Sequence, residues 1–348
     1  MKKFGLFFTL LCCLFIWGCS EKRSNRNDGF KHWIQNNGKI KVLSTTAMID
    51  DLVQQIGKGH IDTITLIQGE LDPHSYQLIK GDDEKLAFAD IIFYNGLGLE
   101  HGASLYHHLE HNSKAIPLGD QIALQDSSHI VYVNEQKDPH IWMDISLWAK
   151  TIPVIAQILS QKDPEHSAEY STNANKLVGE LMTAHEKTKQ IMQAVPENKR
   201  YLITSHDAFN YFTRAYLSEE GEVLSGEWTK RFAAPEGLAP ESQLSTTDIR
   251  NIIKHMQKYN ITLLFPESNV SRDSIKKILQ AGREEGLKME IACCALYGDA
   301  MGPPGSDGDT YLKMIIYNAQ TIADCMKPEE GLTASQKSRR NVIAAENY

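Results

Sequence analysis

The chain moves back and forth between two hydrophobic periods. "KIKVLSTT" (39–46) is a compact apolar and β-branched run that predicts a buried strand, and "DLVQQIGKGH" behind it falls into helical spacing and closes near Gly57. "DTITLIQG" predicts a second strand, "DDEKLAFAD" a helix, and "IIFYNGLGLE" a third strand with its loop. Strands alternating with helices predict parallel βαβ units with ligand loops at the strand ends.

From 163 to 196 nothing interrupts a helix except Gly179. Tyr170, Ala174, Leu177, Leu181, Ala184, Thr188 and Ile191 recur at steps of four and three and draw one stripe along it. At 1.5 Å per residue this helix is about 50 Å long, enough to act as a rod between two lobes. After Pro196 the alternation resumes: "RYLITSHDAF" as strand and loop, "DIRNIIKHMQKY" as helix, "ITLLFPES" as strand, "SRDSIKKILQAGREEG" as helix and "LKMEIACCALY" as strand. A Gly/Pro-rich loop, "GDAMGPPGSDGD", leads into a final helix through "TYLKMIIYNAQTIADCM". The expected fold class is α/β: two βα lobes with parallel sheets joined by a long rigid interdomain helix.

Composition refines this picture. At 348 residues the chain exceeds what one core usually organises, and 42% apolar residues suffice for two. The net charge of −8, or −10 once a leader carrying Lys2 and Lys3 is removed, argues against nucleic acid as a partner and mildly favours cationic ligands. Lys2 and Lys3 precede a 14-residue apolar run at 4–17, shorter than the roughly 20 residues that span a bilayer, so it reads as a secretory signal. Gly18-Cys19 at its end looks like a lipoprotein processing site, although Trp17 is bulkier than the residue usual there. The expected division is 1–18 signal peptide, 19–37 polar linker lipid-anchored at Cys19, 38–150 first lobe, 151–196 linking helical region, 197–326 second lobe and 327–348 polar tail. Cys293 and Cys294 fall in a strand-like run whose alternation points them to opposite faces, so at most one pairs easily with Cys325.

Candidate chemistry centres on histidine. "LDPHSY" and "KDPHIW" each put a histidine behind an Asp-Pro pair: helix starts with an exposed His in the first turn, or two arms of one site. His74, His140 and His206 each follow a predicted strand, 66 residues apart, but the flanks of His206 do not repeat the others and the even spacing is a coincidence. Neutral imidazoles on separate loops suit a borderline transition metal, each offering one nitrogen without adding charge. A carboxylate would complete the set, with Asp299 the first candidate and Glu267 the second. The cluster His101, His107, His108 and His111 reads as solvated. Ser205-His206-Asp207 has triad residue types, but neighbours in one loop do not form a relay. "NGLGLEHG" misses the glycine spacing of a dinucleotide loop, and "GPPGSDGDT" lacks the lysine of a phosphate loop.

With these residues assembled, the chain resembles the metal-binding solute-binding proteins of ABC importers for zinc, manganese or iron, the family that includes ZnuA, TroA and PsaA. The resemblance spans about 39–326 and rests on "DPHSY", "NGLGLE", "DPHIWMD", "YLITSHDAFNYF" and "LYGDAMG" followed by "YLKMIIYN". "KGDDEK", "NGLGLEHGASL", "ENKRYL" and "SGEW" are similar to its YtgA-like branch, associated with iron and manganese. It implies the metal-type periplasmic binding protein fold, one metal in the cleft between lobes, and His74, His140, His206 and Asp299 as ligands. It also implies Glu100 and Asp207 as groups that orient imidazoles from behind. Zinc-specific members often carry a His-rich loop before the second histidine, whereas "LQDSSHIVYVNEQK" holds only His129, which favours manganese or iron. The partners implied are a permease with its ATPase subunit and, through the lipid, the membrane; the receptor is expected to be a monomer and no enzyme. The alternatives are a periplasmic metallohydrolase with a three-His metal-bound water and Glu100 or Asp299 as general base, and a surface adhesion lipoprotein.

Overall fold

The computed structural model describes residues 26–240 and 244–327. The signal at 1–18, Cys19 and the tail beyond Lys327 lie outside the described residues.

The first half is built on a parallel sheet of β1 (Ile40–Ser44), β2 (Ile61–Thr65), β3 (Ile91–Tyr94) and β4 (Ala115–Pro117), in the order β2-β1-β3-β4. Val42 sits opposite Thr63 on one side and Ile91 on the other. Four consecutive β1 residues, Lys41 to Ser44, are buried, as a parallel strand covered on both faces requires. The Lys41 ammonium reaches Asp62 Oδ2 at 2.6 Å. A small hairpin, β5 (Tyr132–Val133) and β6 (Gln136–Lys137), turns on Asn134 and Glu135 with φ of 48° and 67°, the left-handed pair of a type I′ turn.

The second half repeats the plan with shorter strands: β7 (Leu202–Ile203), β8 (Phe232–Ala233), β9 (Leu263–Leu264) and β10 (Glu290–Ile291). β7 pairs with β8 and β9 with β10, both parallel, and Phe265 N donates to Ile203 O at 2.8 Å to join the pairs. The resulting order, β8-β7-β9-β10, copies that of the first half. The predicted strands "ITLLFPES" and "LKMEIACCALY" are cut to two residues each because Pro266 has no N–H to give and the chain bends at Cys293 and Cys294. Pairing returns past the bend, where Leu296 N donates to Pro266 O and Ser268 N to Leu296 O. That bend also overturns the expected opposition of the two thiols, whose Sγ atoms lie 3.5 Å apart.

The long helix runs over Ser167–Gln193, 27 residues, entered through a 3-10 turn at Pro164–His166. It is about 40 Å long rather than 50 Å. Its start is held by Asp163 Oδ2, which accepts from His166 Nδ1 and Tyr170 Oη at 2.7 Å each. Tyr170, Ala174, Leu177, Leu181, Ala184 and Thr188 are buried, and Ile191 half-buried. The stripe packs on the helix Ala47–Gly57 from the first half and on Tyr311–Met326 from the second. Burying each such leucine contributes roughly 2 kcal/mol.

The linker expected to extend to residue 37 is helical over Arg26–Trp33. Trp33 is buried and its Nε1 donates to Asp62 O at 3.0 Å, so this part of the expected tether is docked on the first lobe.

Candidate metal centre

Neither Asp-Pro-His tripeptide starts an α-helix, and neither histidine is exposed: His74 is 1% and His140 0% accessible. The aspartate instead folds back on the chain. Asp72 Oδ1 accepts from His74 N at 2.8 Å and Asp138 Oδ1 from His140 N at 2.9 Å, an Asx turn stiffened by the fixed φ of the proline between. The turn aims the imidazole inward, where a helix start would have left it in solvent.

His74 lies in the loop after β2, His140 behind the hairpin strand β6, His206 three residues beyond β7, and Asp299 in the loop after β10. Their ligand atoms all lie within 4.8 Å of one another, and all four residues are buried. His74 Nε2 stands 3.2 Å from His140 Nε2. Asp299 completes the ring, with Oδ1 at 3.3 Å from His140 Nε2 and Oδ2 at 3.1 Å from His206 Nε2 and 3.7 Å from His74 Nε2. Three Nε2 atoms and one carboxylate therefore converge on one point. Among the described residues no other group of three or more metal-ligating side chains is so arranged.

Two carboxylates fix the rings from behind. Asp138 Oδ1 meets His140 Nδ1 at 2.7 Å, and Glu267 Oε2 meets His206 Nδ1 at 2.7 Å. Glu267 Oε1 accepts from the backbone N–H of Ser205 and His206, both at 2.9 Å, so this side chain has no oxygen left for the cavity. Of the two carboxylates weighed from the sequence, Asp299 faces the imidazoles and Glu267 supports one of them. Asp138 was missed as a supporting group, although it belongs to the tripeptide that singled out His140. Glu100 accepts from Thr45 Oγ1, Asn95 N and Gly96 N and thereby stiffens the 95–100 loop, whose Asn95 Nδ2 donates to Pro139 O at 2.9 Å. Asp207 accepts from Asn210 Nδ2 at 2.8 Å. These bonds of the two carboxylates thus go to a threonine hydroxyl, loop backbone and an amide.

The family profile described as ZnuA, zinc-uptake complex component A periplasmic, matches residues 42–325. The chain belongs to this family. The metal-binding protein YtgA of Chlamydia pneumoniae is 38% identical over 317 residues, 91% of this chain and 92% of that protein. Among solved structures, Fe(III)-bound YtgA from Chlamydia trachomatis superposes with a TM-score of 0.78 at 35% identity, over 83% of this chain and 98% of the other. The periplasmic zinc-binding protein TroA from Treponema pallidum does so with a TM-score of 0.75 at 27% identity, covering 84% and 100%. The metal ABC transporter substrate-binding lipoprotein SsaB of Streptococcus sanguinis is 27% identical over 333 residues, 93% of this chain and 99% of that protein.

In this ZnuA-family chain the electrostatics prepare the site for a cation. Burial pushes His74 well below its ordinary value, only partly offset by Asp299, so its ring is neutral with a lone pair to give. Burial also opposes charge on His140, but Asp138 and Asp299 outweigh it and raise that ring to about 9. His206 is raised well above its ordinary value against its burial by Asp299 and Glu267. Asp299 is held well below the usual carboxylate range by the same two imidazoles, despite its burial. Asp138, Asp299 and Glu267 thus favour the protonated forms of His140 and His206. His206 Nε2 and Asp299 Oδ1 are fully buried without a hydrogen bond of normal geometry, which is what a cavity shaped for an ion presents.

A cavity of about 630 Å³ reaches from solvent to His74, walled by Gly98, His101 and Pro139 on one side and Leu238 and Ala239 on the other. The loop bearing His140 is bolted to the second half. Tyr211 Oη donates to Asp138 O at 2.9 Å, Tyr311 Oη to Trp142 O at 2.7 Å, and Trp142 Nε1 to Gly298 O at 3.0 Å.

Proposed function

We propose that the chain is the extracytoplasmic solute-binding component of an ABC importer, capturing one transition-metal ion (manganese, iron or zinc) and delivering it to the membrane permease and its ATPase. The convergence of three Nε2 atoms and the Asp299 carboxylate within 4.8 Å carries this reading. On it, His74, His140, His206 and Asp299 hold the ion. Capture displaces the protons from His140 and His206, so binding releases protons. Four protein donors would fill a tetrahedral shell, which suits a carrier that makes and breaks no bond better than a hydrolase needing an open position for water. Native purification with elemental analysis, followed by titration of the stripped protein, tests it. One equivalent of manganese, iron or zinc is expected; no metal binding would overturn it.

On the same reading the lobes are 38–150 and 197–326, the linking region 151–196 joins them, and a lipid on Cys19 holds the monomeric receptor at the membrane. Among the described residues no helix is long and apolar enough to cross a bilayer.

Asp138→Asn and Glu267→Gln should each weaken binding by about 10–100-fold, because the amide no longer holds its ring by charge. Isothermal calorimetry reads this directly, and unaltered affinity in both variants would deny them an orienting role. Release is expected to be small in amplitude, since the packed long helix and the bolts on the His140 loop resist hinge opening. Metal loss should therefore raise hydrogen exchange chiefly at 297–309, around Asp299. Equal protection of that segment with and without metal would count against it.

A further inference from the structure

Three thiols meet at the far end of β10. Cys293 and Cys294 are half-buried with Sγ atoms 3.5 Å apart, and the buried Cys325 of the last helix lies within side-chain hydrogen-bonding reach of Cys293. None is cross-linked. Cys325 lines a cavity of about 420 Å³ together with Tyr201, Tyr259 and Glu290, so a small reagent can approach it. From Cys294 the chain leads to Asp299 past Tyr297, whose N–H and carbonyl are both held by Asn318 of the same helix, at 2.9 and 2.8 Å.

We propose that Cys293 and Cys325 form a thiol switch: by exchange with an external disulfide of the glutathione type they join into a disulfide that ties the root of the Asp299 loop to the helix Tyr311–Met326. The Cys293 thiolate attacks the external disulfide and expels one thiolate. Cys325 then attacks the resulting mixed disulfide at Cys293 Sγ and expels the second. Two protein thiols are oxidised, two protons leave, and one glutathione disulfide becomes two thiols. Cys325 is the partner rather than Cys294 because a trans peptide holds adjacent Cα atoms about 3.8 Å apart, short of the roughly 4.4–6.8 Å that disulfides span. A hydrogen bond from Cys294 lowers the Cys293 thiol, but contact with Cys325 and burial raise it further, so exchange speeds up as pH rises. The proposal rests on the carrier reading above for the oxidising compartment and for its effect on metal.

Incubating the purified protein with oxidised glutathione and mapping tryptic peptides tests it, because cleavage after Lys313 separates Cys293 and Cys294 from Cys325. The expected product is a cross-linked peptide pair that persists in Cys294→Ser and vanishes in Cys293→Ser. Glutathione adducts alone, a Cys293–Cys294 link, or a cross-link that survives Cys293→Ser would overturn the pairing. This mapping needs no metal, so it stands or falls apart from the carrier reading. The cross-linked, zinc-loaded protein should then pass zinc to a chelator about threefold more slowly than the reduced one, since local opening of the loop is restrained. Equal rates would overturn the link to the Asp299 loop.

Discussion

Replacing His140 with alanine is expected to lower metal affinity by at least about 1,000-fold, close to 4 kcal/mol, while the protein stays folded. Loss of a partner that merely orients a ligand already costs about 10–100-fold, and here the donor itself is removed. His140 has no substitute in the ring: its Nε2 stands 3.2 Å from His74 Nε2 and 3.3 Å from Asp299 Oδ1. Water can enter the gap, but it brings neither the imidazole's basicity nor the Asp138 carboxylate behind it. Folding should survive, because the loop is fixed through Tyr211, Trp142 and Tyr311, and Asp138 keeps Asn210 Nδ2 at 3.0 Å. The stability cost should be about 1–3 kcal/mol, from a buried carboxylate that loses one partner. Calorimetry and far-ultraviolet circular dichroism together decide: a folded variant with undiminished affinity would remove His140 from the site.

Glu222→Gln should destabilise the second half by about 3 kcal/mol and alter its response to acid. Arg231 is buried, and its Nε donates to Glu222 Oε2. Lys230 Nζ reaches the other oxygen at 2.9 Å, and Glu219 N donates to Glu222 Oε2 at 3.0 Å. Removing the carboxylate strands a buried guanidinium whose remaining acidic partner, Glu197, is exposed and 3.3 Å away. Burial raises the Glu222 carboxyl, but the hydrogen bond to Arg231 and its companions outweigh this and bring it from 4.5 down to about 2. A depressed carboxylate stabilises the fold fully above its unfolded value of 4.5 and loses that contribution as pH falls towards 2. Thermal midpoints of wild type and variant should therefore differ most at neutral pH and converge near pH 2. Parallel curves over that range would show that Glu222 is not the titrating group.

The strands and helices with strong periodicity were legible before any coordinates. β1, the helix Ala47–Gly57, the long helix and the last helix Tyr311–Met326 fall where apolar spacing puts them, because each buries a continuous face. β4, β8 and the hairpin β5-β6 were not foreseen, since two or three residues carry no period to read. Length failed for β9 and β10 as well: their sequences look like strands of eight or more, yet a proline and a bend end the ladder.

The site divides in the same way. The sequence by itself determined the donor types, the two Asp-Pro-His tripeptides and the family to which the chain belongs. These are properties of short segments, fixed by side-chain chemistry and the proline ring. Only the tertiary structure decided that both turns face inward, that Asp299 and not Glu267 joins the three rings, and that Asp138 stands behind one of them. It also decided that Trp33 is docked and that three thiols share one corner. Each is a distance between residues far apart in the chain, and such distances arise from how two βα halves pack across the long helix, which no local pattern encodes.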